Sequence, residues 1–203
     1  MIKNIVFDLG AVVVDWDPVK LANNYINKEV TPKTLFESGF FEKYWADFDR
    51  GVYTEEEIVS KMSEHSGYSL AGCAHLVTYI KHSLVDIPRT VSLIKKLHSL
   101  GYNLFCLSNM SNSYYDYLKT REFFNYFHGQ IISAHENMIK PEPEIYKLLL
   151  NRYNLIPEET LFIDDLHDNV IAAQKEGIQT VHFADKEKGY NEITSLLNLK
   201  LIQ

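Results

Sequence analysis

The chain has 203 residues, enough for one substantial core carrying a modest insertion. Apolar residues at 46%, charged residues at 23%, and only 9 Gly and 6 Pro exclude a disordered or low-complexity chain. The formal charge of −7, with no basic run longer than Lys95-Lys96, argues against a nucleic-acid partner, and the lack of about 18 uninterrupted apolar residues argues against a membrane span.

In chain order, the first β-branched and aromatic run covers residues 4–9 and predicts a strand. The next strand signal comes only at residues 103–107. Residues 17–86 between them carry helical patterns, including a capping box in which Thr54 is answered by Glu57 ahead of Ile58, Met62 and His65. This interval is expected to be an inserted helical cap on a core formed by residues 1–16 and 87–203. Its aromatics Phe40, Phe41, Tyr44, Trp45 and Phe48 fit either a pocket lining or simple core.

From Pro88 onward, helices and strands alternate. Pro88 opens a helix with Val91, Ile94, Leu97 and Leu100 on one stripe, closed by Gly101. Further helices are expected over residues 113–127, 141–153 and 168–176, with strands over 130–133, 160–163 and 179–183. The fold class is therefore α/β: a Rossmann-like parallel sheet of about five strands flanked by helices, with an inserted helical cap subdomain. Cys73 and Cys106 form no disulfide or zinc pattern, and the N-terminus lacks a leader-like segment, so a cytoplasmic protein is expected.

Four chemical signals sit at or beyond the ends of these strands, where open α/β sheets bind ligands. Asp8, in Phe7-Asp8-Leu9-Gly10, is a strand-end carboxylate able to attack phosphorus. Ser108-Asn109 offers a hydroxyl and loop N–H groups for phosphoryl oxygens, although such pairs also start turns. Lys140 precedes a helix N-terminus, where a cation is disfavoured by roughly 0.3–1 kcal/mol unless a phosphate or carboxylate compensates. Asp164-Asp165 places two repelling carboxylates together, for which a divalent cation is the economical partner. Asp168 and Asn169 are expected to cap the following helix.

Together these residues resemble the haloacid dehalogenase-like superfamily, in particular the branch containing α-glucose-1-phosphate phosphatase and the phosphatase domain of soluble epoxide hydrolase. The resemblance implies a magnesium-dependent phosphatase acting on a small phosphorylated metabolite through an aspartyl-phosphate. It assigns Asp8 and Lys140 to catalysis, Ser108, Asn109 and Lys140 to substrate binding, and Asp8, Gly10, Asp164 and Asp165 to Mg2+. Most phosphatases of the superfamily carry an acid where this chain has Gly10, two positions after the nucleophile. Two expectations follow: a preference for good leaving groups such as sugar 1-phosphates, or a substitute acid at Asp15 or Asp17. Alternatives are a non-catalytic phosphate binder, a dehalogenase and, given a different motif order, a receiver domain. Trp16, Trp45, Arg50 and Tyr114 are candidate selectors of substrate, and the sequence does not choose between monomer and dimer.

Overall fold

The computed structural model describes residues 1–27 and 29–199. Five parallel strands, β1 (Asn4–Phe7), β2 (Asn103–Ser108), β3 (Gly129–Ile132), β4 (Thr160–Asp164) and β5 (Gln179–His182), stand in the order β3-β2-β1-β4-β5. The chain thus starts in the middle of the sheet and builds outward to both sides. Phe7 lies in register with Cys106 on one side and Ile163 on the other, so Asp8 emerges between the ends of β2 and β4. This is the switch point at which connections leave in opposite directions and a crevice opens.

The strands read as near-continuous apolar runs because both faces of the sheet are covered. Alternate residues enter opposite layers. Ile5, Phe7, Leu104, Cys106, Leu161 and Ile163 join the core shared with the inserted helices. Val6, Phe105, Leu107 and Phe162 pack with Ile145, Tyr146 and Leu149 on the other face.

Between β1 and β2 the chain forms α1 (Pro18–Asn24), α2 (Pro32–Glu37), a π-helical turn (Phe41–Trp45), α3 (Ala46–Asp49), α4 (Glu55–Ser66), α5 (Leu70–His82) and α6 (Pro88–Ser99). The first five α-helices make up the inserted layer, and α6 returns to the sheet. The capping box at the start of α4 forms as the sequence implies, with Glu57 N–H donating to Thr54 and Thr54 N–H donating to Glu57. The outgoing and returning chains pair side by side: Asp15 N–H donates to Val85 O at 2.7 Å and Ile87 N–H to Val13 O at 2.8 Å. That short antiparallel neck joins the inserted helices to the sheet. Phe40 and Phe48 are fully packed core, while Trp45 also reaches the crevice.

After β2 come α7 (Asn112–Leu118), a 3-10 turn (Glu122–Tyr126), α8 (Ser133–Glu136), α9 (Pro143–Tyr153), a 3-10 turn (Pro157–Glu159), α10 (His167–Lys175) and α11 (Lys186–Leu196). The single helix expected over residues 113–127 is broken. Arg121 takes an extended conformation, pairs with Asp86 at 2.6 Å, and the turn that follows drives Phe123 into the core. Leu100 leaves the expected stripe because α6 stops at Ser99 and Gly101, at φ +85°, turns the chain; Leu100 is left exposed. α11, absent from the sequence expectation, buries Tyr190 and Ile193, and Tyr190 bonds Thr90 of α6 at 2.6 Å. No helix among the described residues is long and apolar enough to cross a membrane.

One close approach fixes the inserted layer over the sheet. Gly51 has φ +84°, and a Cβ there would sit 2.7 Å from Ala134 O of α8. Gly51→Ala is therefore expected to destabilise the protein by about 1–3 kcal/mol, from left-handed strain plus steric displacement. Urea unfolding measures this as a lower midpoint; an unchanged midpoint would show that the contact does not constrain the fold.

Candidate active site

Lys140 is the centre of the site. The residue is 2% exposed, and its ammonium contacts three oxygens: Asp8 Oδ1 at 2.9 Å, Asp164 Oδ2 at 2.7 Å and Leu107 O at 2.9 Å. The residue lies in the loop before α9, whose first turn begins only at Pro143, with Glu142 at the N-cap. The compensation expected for a cation near a helix N-terminus therefore comes from Asp8 and Asp164. Glu142 pairs elsewhere, bidentately with Arg50 at 2.6 and 2.9 Å.

Asp8 is held as well as placed. Its Oδ1 accepts the N–H of Leu9 at 2.7 Å, and its own N–H donates to Ile163 O. The Ser108 hydroxyl, fully buried at the end of β2, lies beside the Asp8 carboxylate and favours its charged form. Burial outweighs these donors and, with the negative charge of Asp164, raises the pKa of Asp8 to about 6. Burial alone would lower the pKa of Lys140, but Asp164 and Asp8 outweigh it and hold the pKa above the ordinary lysine value.

The adjacent carboxylates of β4 divide the work. Asp164 is fully buried and accepts from Lys140, from Asn169 at 3.0 and 3.1 Å, and from the N–H of Leu166 at 2.8 Å. Asp165 faces the crevice, and burial together with Asp8 and Asp164 raises its pKa to about 7. Asn169 was expected to cap a helix; it is instead buried in the first turn of α10, with its side-chain amide clasping Asp164. The sequence signal for it was its position one turn into the helix that follows the acid pair. Asp168 is exposed in that first turn and touches none of these groups.

Asn109 also differs in detail from its expected use. Its amide donates to Lys140 O at 2.9 Å and accepts the Lys140 N–H at 2.8 Å, so the side chain fixes the lysine loop while the residue lines the crevice. Gly10 lines the same crevice, with Trp16 against it.

The crevice has a volume of about 220 Å³. Its floor is polar: Asp8, Asn109, Lys140, Asp165 and Asn169. Its walls are apolar, with Val14, Trp16, Trp45, Leu84, Met110 and Tyr114 prominent, and among the described residues Asp49 of α3 is the one carboxyl that faces it from the inserted layer. Arg50, a candidate for substrate contact from sequence, is taken by Glu142 and does not line the crevice. Asp15 and Asp17 miss it too: Asp15 pairs with Lys20 at 2.5 Å, and Asp17 caps α1.

Asp8, Asp164 and Asp165 each place a carboxylate oxygen within 4.8 Å of the others. Three carboxylates against one buried ammonium leave an excess of negative charge that fits a divalent cation bound through oxygen.

The family model for haloacid dehalogenase-like hydrolases matches residues 2–177. Among curated relatives, the sesquiterpene phosphatase astK of Aspergillus oryzae is 26% identical over 196 residues, covering 96% of each chain. The D-ribitol-5-phosphate phosphatase of Bacteroides thetaiotaomicron is 26% identical over 214 residues, covering 98% of this chain and all of the relative. A haloacid dehalogenase family enzyme from Bacteroides thetaiotaomicron, solved with magnesium and inorganic phosphate, superimposes with a TM-score of 0.74 at 27% identity, covering 89% of this chain and 93% of that one.

The raised carboxyl pKa values set a pH dependence for cation binding. Free carboxyls ionise near ~3.9, whereas Asp8 and Asp165 hold protons to about 6 and about 7 in the fold. The cation-free folded state thus binds more protons than the unfolded chain, so these groups make its stability fall as pH rises through that window. A divalent cation must displace the protons, and its stabilising effect should be larger near pH ~7.5 than near pH ~5.5. Thermal melts with and without magnesium at both pH values measure the difference; equal shifts would contradict the proton competition.

Proposed function

Since the chain belongs to the haloacid dehalogenase-like hydrolases, we propose that it hydrolyses phosphate monoesters of small molecules in a magnesium-dependent reaction, with Asp8 transiently phosphorylated. The observation that carries this reading is the convergence of Asp8, Lys140 and Asp165 on one crevice floor, from two strand ends and a loop far apart in sequence. The similarity to phosphatases along nearly the whole chain supports the same reaction class.

Asp8 attacks phosphorus, and the ester oxygen leaves on the opposite side, toward the inserted helices. The resulting acyl phosphate is opened by water, which returns Asp8 to its carboxylate. Lys140 fixes the Asp8 carboxylate and offers positive charge to the phosphoryl oxygens, while the Ser108 hydroxyl and the N–H groups of the loop through Asn109 bind the phosphoryl group. Magnesium would be held by Asp8, Asp165 and the Gly10 carbonyl, with Asp164 steadying the set, and when bound it neutralises charge on the transferring group. Residues 17–86 act as a cap over a core formed by residues 1–16 and 87–203, and the cap contributes Trp45, Asp49 and Leu84 to walls that the core completes with Val14, Trp16, Met110 and Tyr114. Free, buried Cys73 and Cys106 fit the cytoplasmic location we assign.

The walls bear on substrate class. Beyond the floor they offer aromatic and aliphatic surface and few hydrogen-bond partners. A sugar 1-phosphate would leave several hydroxyls unpaired there, so compact, largely apolar phosphate monoesters fit better.

Phosphate release from a panel of aryl, alkyl and sugar phosphates tests this reading. Release should require magnesium and should fall to background in Asp8→Asn. Binding of phosphate ligands without any turnover by the wild type would instead identify a non-catalytic binder. Faster turnover of sugar 1-phosphates than of apolar esters would contradict the reading of the walls.

A further inference from the structure

A phosphate ester of ordinary alcohol needs a proton on its leaving oxygen, and each group on the floor of this site has another role in the reading above. Asp8 is the attacking group, Asp165 is assigned with it to magnesium, Lys140 is locked between two carboxylates, and Asp164 accepts four hydrogen bonds. Gly10 offers no side chain. On the walls, Tyr114 donates its hydroxyl to Val77 O at 2.9 Å, and burial raises its pKa well above that of ordinary tyrosine. Among the described residues that line the crevice, Asp49 is the acid left without another role.

Resting on the phosphatase reading above, we propose that Asp49 of the cap is the general acid and base of the reaction, supplying from above the proton that position 10 cannot supply from below.

Three features hold Asp49 in place. Its carbonyl accepts the Ser133 hydroxyl of α8 at 2.5 Å, and that hydroxyl in turn accepts the Met110 N–H at 2.8 Å. Its side chain accepts the N–H of Ser111, in the loop that carries Ser108. The next two residues dock the cap on the core, Arg50 through its fork to Glu142 and Gly51 through its approach to Ala134. Asp49 is thus the end of a rigid corner clamped to the two loops that carry Ser108 and Lys140. A carboxyl that is clamped by its backbone and free to face the crevice is suited to proton transfer. Its electrostatics agree: burial, with Asp8 adding to it, raises its pKa to about 7 against the opposing effects of the Ser111 N–H and Lys140.

The proton inventory closes. As Asp8 bonds to phosphorus, the P–O bond to the leaving group breaks; its electron pair stays on the ester oxygen, which takes the Asp49 proton and departs as alcohol. Asp49, now a carboxylate, takes a proton from the water that attacks phosphorus. The bond between phosphorus and Asp8 breaks, Asp8 regains its electron pair, inorganic phosphate leaves and Asp49 is protonated again.

The test is the dependence of leaving-group release on leaving-group basicity in the pre-steady-state burst, compared between wild type and Asp49→Asn with magnesium. p-Nitrophenyl phosphate, whose leaving oxygen needs little protonation, should lose no more than about tenfold, whereas a simple alkyl phosphate should lose ~10²–10⁴-fold. Hydrolysis of the phosphorylated enzyme should also slow, so phosphoenzyme accumulates. Asp49→Ala should show the same split, which keeps the test valid should one variant fold poorly. Equal losses for both ester classes, or no loss for either, overturn the role of Asp49 while leaving the phosphatase reading intact. A wild type that turns over no phosphate ester overturns both.

Discussion

The contact on which the site depends is the buried Lys140 ammonium between Asp8 and Asp164. An ion pair of this depth does not by itself recommend a fold, because desolvation offsets most of the attraction. Its value lies in geometry. Asp8 leaves β1, Asp164 ends β4 and Lys140 enters from the loop before α9, so one ammonium ties the middle of the sheet to the far side of the crevice. The surrounding polar groups serve that ammonium and its partners: Asn109 fixes the lysine backbone, and Asn169 takes both oxygens of Asp164.

The sheet order explains why these groups can meet. With β1 central and β2 and β4 on either side, the carboxyl ends of three neighbouring strands open into one crevice. The core supplies most of the charge and donors of the floor, and the apolar walls are shared, Trp45 coming from the inserted helices and Val14, Trp16, Met110 and Tyr114 from the sheet side. The core and the inserted helices are joined at two places, the paired neck at residues 13–15 and 85–87 and the docked corner at Asp49 to Gly51. The second join turns a lid of mostly hydrophobic surface into a contributor of one well-placed carboxyl.

Much of this was legible in the chain. The alternation after Pro88, the apolar strand runs and the helix-rich stretch after Leu9 carried the α/β class and the inserted helices, because burial on both sheet faces writes a continuous apolar signal. The strand-end positions of Asp8, Ser108 and Asp164 were equally readable, since charged or polar groups directly after such runs are locally disfavoured, and Lys140 was readable as a cation just ahead of a helix. The break after Leu118 was not readable, because it is set by the pairing of Arg121 with Asp86 and by Phe123 entering a core that the local sequence does not contain. Asn169 looked like a capping residue, and only the position of Asp164 beside it gives its amide another partner.

By itself, then, the sequence determined which strands exist and, to within one or two residues, where they end, because hydrophobic periodicity and strand-end polarity are local properties. What only the tertiary structure decided was the partner of each side chain across the crevice. Arg50 is spent on Glu142, and Asp49 is turned toward the floor. Those outcomes depend on how the inserted helices dock on the loops after β2 and β3, a matter of long-range packing that no local pattern in the chain encodes.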